Sequence, residues 1–120
     1  MQLFELKRLG LSFPHATVVK QWGETLVFKV GGKMFLILSL DCDLVEQTYL
    51  KVTPAEFKRL TDIDGIIPAP HLARASWVAV EDFAALPAAE LERLIRESYA
   101  LIVAALPKKA RATLTATPQN

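Results

Sequence analysis

The sequence is poor in the features that usually fix a chemistry. It has one cysteine, Cys42, among 120 residues. An intrachain disulfide is therefore excluded, and a single thiol fits a reducing, cytoplasmic setting. Its two histidines, His15 and His71, lie far apart, with no cysteine or carboxylate beside them at metal-ligand spacing. Excess charge is nearly absent, since fourteen Lys and Arg face thirteen Asp and Glu for a net +1. That removes the strongly basic body of a dedicated nucleic-acid binder and leaves room only for a local patch. The longest apolar run, Tyr99 to Leu106, is far short of the ~18–20 residues that a membrane span needs. Met1-Gln2-Leu3-Phe4-Glu5 puts a carboxylate where the apolar core of a secretory signal would begin, so none is expected. A Gly-rich phosphate loop is missing too, because Gly31-Gly32 is followed neither by a helix nor by the Lys-Ser/Thr of a P-loop.

Apolar residues, by contrast, are plentiful. They make up 52% of the chain against 22% charged residues, which excludes disorder for most of it. A chain of this length forms one domain and buries about two thirds of the surface it exposes when unfolded. Residues 1–50 carry five basic and five acidic side chains, and residues 51–106 carry six and eight. Lys108, Lys109 and Arg111 follow with no acid after them. The body is thus neutral to slightly acidic, and the surplus positive charge sits at the end.

Leu3, Phe4, Leu6 and Leu9 recur with a helical period, closed by Gly10 and Pro14. Thr17–Lys20 and Leu26–Val30 are β-branched or aromatic, and Gly31-Gly32 predicts a two-residue hairpin turn. That turn sets Phe28 opposite Phe35 and Val30 opposite Lys33, with Lys29 on the other face beside Met34. Lys33–Leu40 is almost wholly apolar, as a central strand covered on both faces would be. Asp41-Cys42-Asp43 reads as its turn and Thr48–Val52 as a fourth strand. Thr53-Pro54-Ala55-Glu56 combines a cap, a first-turn proline and a capping-box glutamate, and so predicts a short helix. A connection containing Pro68 and Pro70 leads to a strand at Trp77–Val80. A final helix runs from Pro87 to Pro107 with Leu91, Leu94, Ile95, Ser98, Ile102 and Ala105 on one stripe. The expected fold is α+β: an antiparallel sheet of about five strands packed with helices, in the order α-β-β-β-β-α-β-α. The expected domain covers residues 1–109, with 110–120 as a flexible tail.

Few residues suggest chemistry. Asp41, Cys42 and Asp43 lack the glycine and distal glutamate of a calcium loop and read as a solvated turn. Carboxylates on both sides make Cys42 a poor nucleophile, because negative neighbours raise a thiol's pKa. His71, Arg74 and Trp77 fall within seven residues, and such a set can grip a phosphate or stack on a base. The plainer reading is a core Trp77 with His71 and Arg74 exposed beside it. Lys29, Lys33 and Lys51 sit on strands, where lysines discourage edge-to-edge aggregation or act as point charges for phosphates. No nucleophile–base pair or metal set is visible, so no enzyme, cofactor or metal is expected.

Gly31-Gly32-Lys33-Met34-Phe35, Tyr49-Leu50-Lys51-Val52-Thr53-Pro54, Ile67-Pro68-Ala69-Pro70-His71, Ser76-Trp77-Val78-Ala79-Val80 and the helix Leu91–Leu106 with Ser98-Tyr99 form an ordered set. It resembles the MmcQ/YjbR family over nearly all of residues 1–109. That resemblance implies a CyaY-like (frataxin-like) fold, described as a double-wing arrangement, and a DNA-binding label that rests largely on shape. The family's recurring polar and aromatic positions match Lys33, Lys51, His71 and Trp77. Members often carry a basic residue before the tryptophan, where this chain has Ser76, with Arg74 two positions earlier. Frataxins bind iron through an acidic first helix. Here that helix offers only Glu5, beside Lys7 and Arg8, so an iron role lacks its ligands.

Two functions follow as expectations. In the first, the chain is a non-enzymatic DNA-binding protein, weak and mostly non-specific, contacting DNA through Lys33, Lys51, His71, Arg74 and Trp77. In the second it has no nucleic-acid role and binds a small ligand, another protein or a second copy of itself through an apolar sheet face. A dimer in solution, or an apolar pocket beside Trp77, would favour the second.

Overall fold

A computed structural model describes residues 1–115. Six strands form one antiparallel sheet: β1 (Thr17–Gln21), β2 (Thr25–Val30), β3 (Lys33–Asp41), β4 (Leu44–Lys51), β5 (Ile66–Pro68) and β6 (Trp77–Val80). Their spatial order is β1-β2-β3-β4-β6-β5. Helices α1 (Leu3–Ser12), α2 (Pro54–Leu60), α3 (Ala88–Ala105) and α4 (Lys108–Thr115) complete the α+β fold. One strand more is present than expected, because Ile66–Pro68 pairs with β6 rather than running as loop. The prolines nearby conceal it, yet a proline is tolerated on a short edge strand, where one side of the backbone needs no partner.

Strand periodicity sorts the side chains between two faces. Phe28, Leu36, Leu38, Leu50, Val78 and Val80 meet Leu6, Leu9, Leu60, Leu91, Leu94 and Ile95 from α1, α2 and α3 in the main core. Val27, Ile37 and Ala79 point the other way, into a smaller cluster with Ala69 and Trp77. β3 therefore lies inside the sheet with apolar residues on both faces, as its composition indicates.

The β2–β3 hairpin turns on Gly31 and Gly32 with φ of 58° and 80°, as a type I′ turn requires. Val30 pairs with Lys33 and Lys29 with Met34, but Phe28 pairs with Leu36 and not with Phe35. Phe35 is the extra residue of a bulge, and it drops into the core between Phe13, Phe28 and Tyr99. The next hairpin is tighter than the sequence suggests. Asp41 pairs with Leu44, leaving Cys42 and Asp43 as a two-residue turn with φ of 50° and 67°.

Gly10 does not close α1, which runs on to Ser12. The glycine is there because Phe28 packs onto the helix backbone. Thr53 caps α2 by accepting from the Glu56 amide, with Pro54 in the first turn. Glu56 itself does not reach back to the cap; its carboxylate pairs with Arg59 and Arg93. Glu90 joins them, so ion pairs link α2 to α3. The hydrogen bonds from Arg93, and then Arg59, hold the Glu90 carboxyl down to about 2. On α3, Leu91, Leu94, Ile95 and Ser98 are buried and Ile102 half-buried, while Ala105 is exposed. Where a tail was expected from Ala110, the backbone winds through α4, and Leu114 packs against the main core. Residues 116–120 of that expected tail lie outside the described residues.

Candidate functional site on the helix-free face of the sheet

The helices lie over one face of the sheet, with Ile102 of α3 also reaching the smaller cluster, and the loop of residues 69–76 lies over the other. Backbone bonds knit this loop into a compact unit. The Ala69 amide donates to the Trp77 carbonyl at 3.0 Å, the Leu72 amide to Ala69 at 3.1 Å and the Trp77 amide to Leu72 at 3.3 Å. Ala69 is buried, and Leu72 packs with Ile37, Tyr49 and Trp77 on the sheet. The loop is thereby fixed against the sheet beside β6.

The uncovered remainder is a cleft of about 450 Å³. Met34, Ile37 and Tyr49 form its floor, and Pro70 and Leu72 from the loop form one wall. Trp22, from the β1–β2 turn, also lines it, with 68% of its surface exposed. Thr25, Ser39, Tyr49, His71 and the Trp22 indole N–H are its polar side-chain groups. Thr25 and Ser39 are direct cross-strand partners. Trp22 and His71, at the rim, both hold left-handed backbone, with φ of 51° and 66°. Non-glycine residues adopt that conformation at a cost of about 1–3 kcal/mol, and such strain clusters at functional sites.

The Tyr49 hydroxyl donates to Gln47 Oε1 at 2.5 Å, and Gln47 Nε2 donates to Glu81 at 2.8 Å. Burial, together with the negative charge of Glu81 and Glu46, pushes the Tyr49 phenol above its ordinary value. It therefore stays protonated, with its one donor committed to Gln47. No Asp, Glu, Lys or Arg lines the cleft. A larger hollow of about 630 Å³ lies between α1 and the β3–β4 hairpin. Its walls include the exposed side chains Phe4 and Leu44, which it does not enclose.

The residues singled out from sequence are placed apart. Trp77 is only 5% exposed and packs in the cluster beneath the cleft. Lys51 is its cross-strand partner, and its Nζ donates to the Ala75 carbonyl, against the loop. His71 and Arg74 are exposed on that same loop. Lys33 is exposed opposite Val30, whose side chain enters the helix-covered core, so it belongs to the other side of the sheet. Lys29, paired with Met34, is on the helix-free side. Lys51, His71, Arg74 and Trp77 are thus gathered around one loop, without Lys33. Among the described residues no group of three His, Cys, Asp or Glu could hold a metal ion, and no helix is long and apolar enough to cross a membrane.

Sequence reasoning passed over Trp22, Thr25, Ser39 and Tyr49. The signal available was a second apolar face, with Val27, Ile37 and Tyr49 at alternate strand positions opposite the core.

Comparison with known proteins agrees with the architecture. The YjbR family model matches residues 11–101. The uncharacterized protein YbdF of Escherichia coli O157:H7 is 33% identical over 105 residues, 86% of this chain and 85% of that protein. The crystal structure of Deinococcus radiodurans protein DR2400, which carries the DUF419 domain, superposes with a TM-score of 0.84 at 30% identity. It covers 95% of this chain and 88% of that one. A Pseudomonas syringae protein shares the fold, with a TM-score of 0.66 at 22% identity over 84% of this chain and 98% of that one.

Proposed function

The chain belongs to the YjbR family, and we propose that it is a non-enzymatic binding module whose ligand occupies the cleft on the helix-free sheet face. The observation that carries this is the cleft itself. It has a volume of about 450 Å³ and walls made of Trp22, Met34, Ile37, Tyr49, Pro70 and Leu72. Sites for small molecules are concave, mostly apolar and of about 300–1,000 Å³, with a few convergent polar groups. A binding role rather than catalysis fits the lining, where no hydrogen bond among the described residues joins His71 to the hydroxyls of Thr25, Ser39 or Tyr49.

Nile red, an uncharged dye that fluoresces in apolar surroundings, tests the reading. The wild-type protein is expected to enhance its emission with saturable, micromolar binding. Ser39→Phe, which puts a ring into the cleft from a half-buried position, is expected to weaken that binding at least tenfold while leaving the circular dichroism unchanged. Equal binding by the two proteins, or none by the wild type, contradicts the proposal.

A second reading, weak and mostly non-specific contact with DNA, draws on the loop. His71 and Arg74 are exposed there beside Lys51. Arg74 makes no ion pair among the described residues, which leaves its guanidinium open to a phosphate. Gel shifts with micromolar protein are expected to fade steeply with salt and to weaken on Arg74→Ala. The absence of any shift at low salt removes this reading.

A further inference from the structure

We infer that the cleft selects an uncharged, planar heteroaromatic molecule that presents a hydrogen-bond donor and acceptor on one edge. This rests on the cleft being the binding site and goes on to say what enters it. Shape comes first. Ile37 and Tyr49 line the cleft from the sheet and the indole of Trp22 lines it from the β1–β2 turn. A flat ring system meets both with the most contact, and aromatic pairs gain further by offset or edge-to-face packing.

Charge excludes the ionic alternatives. None of the lining side chains is Asp, Glu, Lys or Arg. Through Tyr49 and Gln47 the lining connects to the carboxylate of Glu81. A carboxylate or phosphate in the cleft would lose its water with no lysine or arginine in the lining to replace it, and that desolvation is costly.

The polar atoms then define the edge. Thr25 and Ser39 face each other across β2 and β3, and neither hydroxyl is hydrogen-bonded within the described residues. Each can donate and accept. The Tyr49 oxygen, its proton given to Gln47, is left as an acceptor. Three such groups on an otherwise apolar floor match a ligand edge that carries N–H beside C=O or a ring nitrogen.

Three bicyclic probes of similar size separate these statements: 2-quinolinone, with an N–H/C=O edge, naphthalene, with none, and 2-naphthoate, an anion. Affinities are read by ¹⁵N-edited NMR titration. The wild-type protein is expected to bind 2-quinolinone about tenfold more tightly than naphthalene, as two modest hydrogen bonds allow, and 2-naphthoate most weakly. The double variant Thr25→Val/Ser39→Ala is expected to lose the preference for 2-quinolinone and to keep its affinity for naphthalene. A variant that no longer binds naphthalene has lost the cleft, and amide shifts at Thr25 and Ser39 in the wild-type 2-quinolinone titration then decide. Shifts at both support the inference, and shifts at neither overturn it. Equal wild-type affinities for 2-quinolinone and naphthalene overturn it as well, as does a preference surviving in the double variant or 2-naphthoate binding as tightly as 2-quinolinone. In those cases the cleft remains a binding site. If none of the three probes binds, the proposed function fails with the inference.

Discussion

Replacing Ser98 with alanine is expected to destabilise the protein by about 2–3 kcal/mol, although it removes a single oxygen atom. Ser98 is fully buried on α3. Its hydroxyl donates to the Phe35 carbonyl at 2.6 Å and accepts from the Lys51 amide at 3.0 Å. These two backbone groups would bond each other in an unbroken β3–β4 ladder, but the paired register starts only at Leu36 and Leu50. The bulge at Phe35 moves its carbonyl away, and the serine fills the missing rung. Alanine would leave a donor and an acceptor unmet at the edge of the core, and each such group costs about 1–3 kcal/mol. Urea unfolding is expected to show a lower midpoint at unchanged slope, with faster hydrogen exchange at the Lys51 amide. A loss below about 0.5 kcal/mol would mean that the ladder closes, or water bridges it, without Ser98.

The second large effect has the opposite sign from what helix propensity predicts. Alanine is better than glycine inside a helix by about 1 kcal/mol. Yet a Cβ on Gly10 would lie 2.6 Å from Cδ2 and 2.7 Å from Cε2 of Phe28. Phe28 is fully buried and touches Phe35 at a ring-centroid distance of 6.4 Å, so it has nowhere to withdraw. Leu36 closes the other side, with Cδ2 3.2 Å from the same point. Gly10→Ala is therefore expected to lose about 1–3 kcal/mol through overpacking, measured by thermal or urea unfolding. A stabilised variant would show that α1 can shift outward without losing its hold on the sheet.

Both effects explain where the sequence was legible and where it was not. The Gly31-Gly32 turn, the Thr53 cap and the α3 stripe are local signals. They depend on residues within one element and its ends, and the fold keeps all three. Gly10 reads as a stop because glycine commonly ends helices. Its actual role depends on a phenylalanine of β2 that no local pattern connects with it. The Phe35 bulge is hidden for the same reason, since its carbonyl is satisfied by a serine 63 positions away. Ile66–Pro68 lacks the length and alternation of a strand, and only pairing with β6 makes it one.

The site was the least legible part. Its lining comes from a turn, three strands and a loop, namely Trp22, Thr25, Met34, Ile37, Ser39, Tyr49 and residues 70–72. Apart from His71, none of these residue types signals chemistry by itself. The more conspicuous candidates, Lys33, Lys51, His71, Arg74 and Trp77, draw the eye because cationic, imidazole and indole side chains suit phosphate and base contacts. Of these five only His71 lines the cleft.

The most direct test of the central claim is a map of amide shifts in ¹⁵N-labelled protein titrated with 2-naphthol, a neutral aromatic probe. The account predicts saturable shifts at Thr25, Met34, Ile37, Ser39, Tyr49 and Leu72, on the helix-free face. Shifts confined to the surroundings of Phe4 and Leu44, or no saturable shift at all, would contradict it.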